Sequence, residues 1–455
     1  MSTIDEYLDA NAKRFEDELF ELLRIPSVSA DPERVQDIRR TADWLVDHFT
    51  QMGLSSELIE TAGHPLVLAQ SPQVDGAPTV LVYGHYDVQP PEPLELWTTP
   101  PFEPVVRDGH VFARGAADNK GQFMTHVKSM QAWLDVEGRL PVNIKLLIEG
   151  EEEVGSGHLE EFVRQNTERL ACDCVVVSDS CQLAPGQPAI TCGLRGIAYY
   201  DLKLTGPKRD LHSGSFGGSV TNPANALTKM LAALMDEKGR IQVPGFYEDV
   251  VPLDDEERRQ FAALPFDEQG YMQEVGVDAL FGEEGYTTLE RRWARPTFDI
   301  CGLTSGYQGE GAKTVLPSVA SAKLSFRLVP DQDPDKVTAG LRKILAEVCP
   351  AGIRMELSEH QGSPAMKASL ESPYVKAAAR AIEHGFDVAP VYIREGGSIP
   401  VVATFAQELD ADVLLLGWAQ DDDNTHSPNE KFSLESYRRA TRASAKLWEE
   451  LGRVK

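Results

Sequence analysis

The sequence predicts a two-part α/β protein: a mostly parallel sheet covered by helices, interrupted by a separate α+β domain. Three observations support this. Short apolar runs alternate with helical stretches up to about residue 193 and resume after about residue 371. In the interruption, strands of alternating apolar and polar residues are interleaved with helices in an order that suggests βαββαβ. Most of the metal-binding residue types that attract notice stand just past apolar runs, before and after the interruption alike.

Residues 3–24 and 32–52 carry Tyr7, Leu8, Phe15, Leu19, Leu22 and Leu23, then Ile38, Ala42, Leu45 and Phe49, at helical spacing. After Gly53 short strands are expected over 79–83, 142–148 and 174–177, with helices over 122–134 and 159–164. From Leu194 the character changes: a half-exposed strand at 197–204, a helix at 223–235, a long alternating strand at 318–329, a helix at 334–348 and a short strand at 354–357. An acidic, aromatic-bearing stretch at 241–296 reads as an insertion. Strands resume at 391–393 and 413–416, and a helix over 434–451 closes the chain. The first domain is therefore expected to be discontinuous, 1–193 with 368–455, and the second, 194–367, inserted.

A length of 455 residues suffices for two full cores, and shares of 42% apolar and 25% charged residues are ordinary for a soluble globular chain. The net charge is not ordinary. Seventy-one acids against 44 Lys and Arg leave −27, which repels phosphate backbones and anionic lipid, so neither nucleic acid nor membrane is an expected partner. The start, Met1-Ser-Thr-Ile-Asp-Glu-Tyr-Leu8, is acidic and amphipathic, unlike a signal peptide. No CxxC pair occurs among the six cysteines, and Cys172-Asp-Cys174 reads as core thiols. A reduced, cytoplasmic setting is expected.

Five short pieces each end in a good metal ligand: Leu81-Val-Tyr-Gly-His85, Ala113-Arg-Gly-Ala-Ala-Asp118, Ile148-Glu-Gly-Glu-Glu152-Glu153, Val175-Val-Val-Ser-Asp179 and Asn424-Thr-His426. Strand ends in an α/β protein converge on one edge of the sheet, where sites are built. Two imidazoles and three carboxylates there make a ligand set for a pair of zinc-like ions, with Glu152 left over as a base. Asp87, two positions past His85, is placed to hold its second ring nitrogen. Asp118 precedes a helix and can serve as its N-cap as well as bridge two metals. The run Glu151-Glu152-Glu153 crowds like charges that cations would relieve.

Further motifs occur in order: Gly84-His85-Tyr86-Asp87-Val88-Gln89-Pro90, Glu149 to Ser156, Asp210-Leu-His212-Ser-Gly214, Ser325-Phe-Arg327-Leu-Val-Pro330, Arg394-Glu-Gly-Gly-Ser398-Ile-Pro400 and Thr425-His426-Ser427. With them, nearly the whole chain resembles the carnosinase-type dipeptidases, in the aminoacylase and glutamate-carboxypeptidase superfamily of dinuclear zinc hydrolases. The resemblance implies a catalytic domain with a two-metal site and an inserted ferredoxin-like lid and dimerisation domain. It implies one metal on His85 and Asp179, the other on Glu153 and His426, with Asp118 bridging and Asp87 orienting His85. Zinc is the implied metal, with manganese or cobalt acceptable to the same ligands.

Glu152 resembles the general base acting on a metal-bridging water, and His212 a lid histidine that serves the partner subunit of a homodimer. Arg327 and the Gly397-Ser398 turn, with Thr314 in trans, resemble the groups that hold the substrate carboxylate. Ala117 stands where the family commonly has a polar residue. The implied activity is hydrolysis of dipeptides with a free carboxyl end; an N-acyl amino acid deacylase or desuccinylase is the alternative on the same scaffold. Gly306 to Thr314 faintly resembles a phosphate loop, but Ala312 separates Gly311 from Lys313 and breaks the Gly-Lys-Thr such a loop needs.

Overall fold

The computed structural model describes residues 2–360 and 362–454. It forms two units: Met1–Cys192 with Ala368–Ile393 and Thr404–Lys455, and Gly193–Lys367 with Arg394–Ala403.

The first unit is organised by a mixed sheet with a parallel centre. In spatial order, Asn143–Glu149, Thr79–His85, Cys174–Val177 and Asp412–Gly417 run parallel. Ser55–Ile59 and Leu66–Gln70 add antiparallel at one side, and Ala189–Leu194 pairs antiparallel with Asp412–Gly417 at the other. The central strands are buried along most of their length, which explains their continuous Val, Ile and Leu content. Register decides what their ends deliver: His85 pairs with Glu149, and Tyr83 and Leu415 both with Val177. Four strand ends thus open side by side.

Helices complete the core. Thr3–Leu23 begins with a capping box between Ser2 and Asp5 and buries Leu8, Phe15, Leu19, Leu22 and Leu23. Lys120–Glu137 is buried nearly all round through its first three turns and stops at Gly138, whose φ of 69° is the left-handed conformation that glycine accepts most readily. Leu434–Leu451 starts at the Ser433 cap and packs on both. The helix Pro373–Phe386 escapes the sequence reading, because its buried face is built largely from Ala377, Ala378 and Ala381, which give little hydrophobic contrast.

In the second unit, Gly196–Thr205, Pro223–Ala232, Thr297–Ser305, Val319–Leu328, Pro334–Val348 and Arg354–Glu359 form the βαββαβ order. The antiparallel sheet runs Thr297–Ser305, Val319–Leu328, Gly196–Thr205, Arg354–Glu359. Along Gly196–Thr205 every second residue is buried, as the alternation predicts. Thr297–Ser305 was not anticipated: it is an edge strand with only Phe298 buried, so it lacks the periodic signal. The insertion carries helices Asp255–Ala263, Glu268–Val275 and Thr288–Trp293 and is tied by Glu283, which binds the buried Arg295 through both oxygens. The segment Arg394–Ala403, read from sequence with the C-terminal part of the first domain, has its contacts here: Arg394 donates to Glu257, and Arg327 to Ser398.

Candidate metal centre

Parallel register brings His85, the Glu152–Glu153 turn and Asp179 to one edge of the sheet, and the loop after Asp412–Gly417 adds His426. Asp118 comes from the loop before helix Lys120–Glu137. Two groups result, His85 with Asp118 and Asp179, and Asp118 with Glu153 and His426; Asp118 belongs to both. Its Oδ1 lies 3.0 Å from His85 Nε2, and its Oδ2 lies 2.9 Å from His426 Nε2. His85 Nε2 is 3.8 Å from Asp179 Oδ2, and His426 Nε2 is 3.2 Å from Glu153 Oε2. Two ligands each ~2.0 Å from one tetrahedral ion stand roughly 3.3 Å apart, and these separations bracket that value.

The donor chemistry fits a cation as well. His85 is fully buried, with Nδ1 3.1 Å from the Asp87 carbonyl, which can only accept. In the neutral ring the proton therefore sits on Nδ1, and Nε2 has no hydrogen-bond partner among the described residues while facing two carboxylates. A lone pair aimed at two anions requires a proton or a metal ion between them.

The local charges say the same. Burial, with crowding from Asp179, Asp118 and Glu153, pushes the Glu152 carboxyl up to about 9 against the pull of His85. Burial also raises Glu153. Hydrogen bonds that its protonated ring donates to Asp118 and Glu153 lift His426 to about 10. Despite burial, Asp118 is held well below the usual carboxylate range by His426 and His85. With protein charges alone, protons hold this cluster together; divalent cations would take their place.

Supporting residues fix the donors. The Asp87 carboxylate accepts from the backbone N–H of Glu152 (3.3 Å) and of Glu153 (3.1 Å), so Asp87 orients His85 through its carbonyl and the acidic turn through its side chain. Gln89 Nε2 donates to Glu153 Oε2 at 2.7 Å. Gly84 is required by close approach: a Cβ there would meet Phe123 Cβ at 2.7 Å and Asn119 Oδ1 at 3.1 Å. Sequence reasoning gave no role to two residues that matter here. Asn119 donates from Nδ2 to Asp179 Oδ1 at 2.8 Å, leaving Oδ2 towards His85. Glu430 accepts from Arg114 and from the N–H of Gly115, Ala117 and Asp118. The first adjoins Asp118 and the second follows His426 by four positions, which was the only available signal. The helix N-cap is Asn119 rather than Asp118, and its side chain makes no capping bond, so both side chains are turned to the site.

The remaining sequence candidates lie in the second unit. His212 ends the two-residue strand Leu211–His212, pairs with Val315, and is exposed. Thr314 is exposed beside it, its carbonyl accepting from Ser213 N at 3.1 Å. Arg327 is half-buried, and its Nη1 donates to Ser398 Oγ at 2.9 Å; Ser398 in turn donates to the Arg195 carbonyl, and Gly397 is exposed.

The model of peptidase family M20/M25/M40 matches residues 81–450. The chain belongs to this family. It is a hydrolase acting on peptide bonds. Among its relatives, the Cys-Gly metallodipeptidase dug1 of Schizosaccharomyces pombe is 33% identical over 449 residues, covering 95% of this chain and 94% of that one. The Beta-Ala-His dipeptidase of Homo sapiens is 31% identical over 472 residues, covering 100% and 93%. Among solved structures, the M20 family metallo-carboxypeptidase Sso-CP2 of Sulfolobus solfataricus superposes with a TM-score of 0.88 at 34% identity, covering 97% of this chain and 99% of that one. No helix among the described residues is long and apolar enough to cross a membrane.

Proposed function

We propose that this peptidase hydrolyses dipeptides with a free carboxyl end, using two divalent metal ions. The observation that carries the reading is Asp118, whose two oxygens face two different histidines at 3.0 and 2.9 Å, each histidine joined by a further acid. One ion is assigned to His85, Asp179 and Asp118, the other to Glu153, His426 and Asp118. Zinc is the proposed metal; the same nitrogen and oxygen donors accept manganese or cobalt. Ions held by these residues would supply Lewis acidity towards the scissile carbonyl and the attacking water.

Glu152, outside both ligand groups but beside them, takes the proton of the attacking water and passes it to the leaving amine. Asp87 keeps the Glu152–Glu153 turn in place through two backbone N–H bonds. In the second unit, Arg327 and the Gly397–Ser398 turn, with Thr314, receive the substrate carboxylate, and His212 donates to the developing oxyanion of a partner subunit. The dimer draws support from the edge strand Thr297–Ser305, which leaves Ile300 46% and Leu303 55% exposed along an edge open to pairing. A cytoplasmic site of action is in keeping with the cysteine usage, which shows no CxxC pair and no dense disulfide framework.

The similarity to a metallo-carboxypeptidase favours a second reading, removal of one residue from the carboxyl end of longer peptides. A panel of dipeptides, tripeptides, longer peptides and N-acyl amino acids, run on protein of measured metal content, separates these. Turnover confined to dipeptides supports the proposal. Preference for longer peptides establishes carboxypeptidase action, and preference for acyl amino acids establishes a deacylase.

A further inference from the structure

Glu430 is 0% exposed and lies outside both groups of prospective ligands. Its two oxygens are fully engaged. Oε2 accepts from Arg114 Nη1 at 2.7 Å and from Gly115 N at 2.9 Å; Oε1 accepts from Ala117 N at 2.9 Å and from Asp118 N at 3.1 Å. Four donors of the loop that presents Asp118, one guanidinium and three backbone N–H groups, are therefore gripped by one side chain 312 to 316 residues away. The backbone of Glu430 joins in, since Ala113 N donates to its carbonyl at 3.1 Å. Arg114 is braced from its other end, Nη2 donating to the Pro90 carbonyl at 3.3 Å.

The same residue anchors the loop that carries His426. Just past it, Lys431–Ser433 pairs antiparallel with His110–Phe112, and Lys431 N donates to the Asp423 carbonyl at 3.0 Å, closing the 423–431 loop. His426 is held at φ 61°, a conformation a histidine adopts only when its surroundings impose it. So Glu430 stands at the foot of one loop and holds the other by its main chain. Those two loops meet where His426 Nε2 lies 2.9 Å from Asp118 Oδ2.

We infer that Glu430 is a positioning residue for the metal pair: it locks the loop of Asp118 to the loop of His426, so that one carboxylate faces two ions at once. The inference rests on the dinuclear reading proposed above. A buried carboxylate with four donors has a fixed place, whereas an amide there sets its NH₂ against one pair of N–H donors and pushes that side of the clamp apart. Asp118 then still meets one histidine but loses its place between the two.

Manganese(II) is the probe. Metal-stripped wild type and Glu430→Gln are titrated with Mn(II) by calorimetry and followed by electron paramagnetic resonance, after circular dichroism and melting show that both are folded. Wild type is expected to take up two equivalents and to give the signal of a spin-coupled pair. Glu430→Gln is expected to bind the second equivalent about tenfold or more weakly, in the range seen when groups behind metal ligands are altered, and to lose the coupled signal at matched loading. Two equivalents at wild-type affinity with an unchanged coupled signal overturn the inference. Should Glu430→Gln not fold, Arg114→Gln, which removes one of the four donors, decides by the same titration: several-fold weaker uptake of the second ion supports the clamp, and unchanged uptake overturns it. Failure of wild type itself to bind a coupled pair overturns the dinuclear reading and this inference with it, a result distinct from the other outcomes.

Discussion

His85 and His212 both end strands, and their two ring nitrogens are used in opposite senses. His85 is buried and gives its Nδ1 proton to the Asp87 carbonyl, leaving a lone pair on Nε2. His212 is exposed, and its Nδ1 accepts from Gly214 N at 3.1 Å, which keeps the neutral ring's proton on Nε2. One backbone contact leaves the first ring a lone pair on Nε2 and the other leaves the second ring an N–H there. The contrast extends to their neighbours. Around His85, acids are crowded and pinned by Asn119, Gln89 and Asp87, an arrangement that bound protons or cations relieve. Around His212 and Thr314 little is pinned, so those groups remain available to a substrate or a second subunit. The first site is held by the chain's own buried contacts; the second region presents exposed polar side chains.

The largest expected effect lies in the pinned region. Glu152→Gln should keep both metals and lose peptide hydrolysis by roughly a thousandfold or more, the scale of an essential general base. Metal analysis beside turnover checks it, and near-normal turnover removes Glu152 from its role.

In the open region, His212→Ala should lower kcat by about a hundredfold, the cost of one oxyanion donor. Co-refolding it with Glu152→Gln should restore a fraction of activity, because some mixed dimers then hold one complete site. Mixed dimers as inactive as their parents rule out action in trans.

Arg327→Lys tests the link to substrate. A guanidinium exchanged for a point charge should raise KM for dipeptides roughly tenfold while kcat changes less, a loss of about 1.5 kcal/mol. An unchanged KM places the substrate carboxylate elsewhere.

The smallest effect is on stability after chelation. Glu152 sits at about 9 in the folded chain against 4.5 ordinarily, and Glu149, raised by burial, at about 8. Between the ordinary and folded values the folded chain holds protons that the unfolded one lacks, so stability falls as pH rises. His426, at about 10 against 6.5, stabilises fully below 6.5 and loses that contribution as pH rises through 10. All three act in one direction. Metal-stripped protein should melt a few degrees lower at pH 9 than at pH 7, and metal-loaded protein should show a smaller difference. Equal pH slopes with and without metal would contradict the crowding of acids as the cause.

What the sequence determined by itself is local. The helices Pro334–Val348 and Leu434–Leu451 and the strand Cys174–Val177 have the expected limits, because period, caps and turn residues are written within a few positions. That strand ends carry His85, Glu153 and Asp179 was legible for the same reason. The edge strand Thr297–Ser305 was not, since an exposed strand has no buried alternation to show. Nor was the use of Asn119 and Glu430, whose partners lie 60 and 312 residues away. Which nitrogen of His85 or His212 bears the proton was also decided by tertiary structure, through a carbonyl at Asp87 and an N–H at Gly214. A residue's type states what bonds it can make, but only the folded chain brings up the partner, and burial then makes leaving that bond unmade too costly.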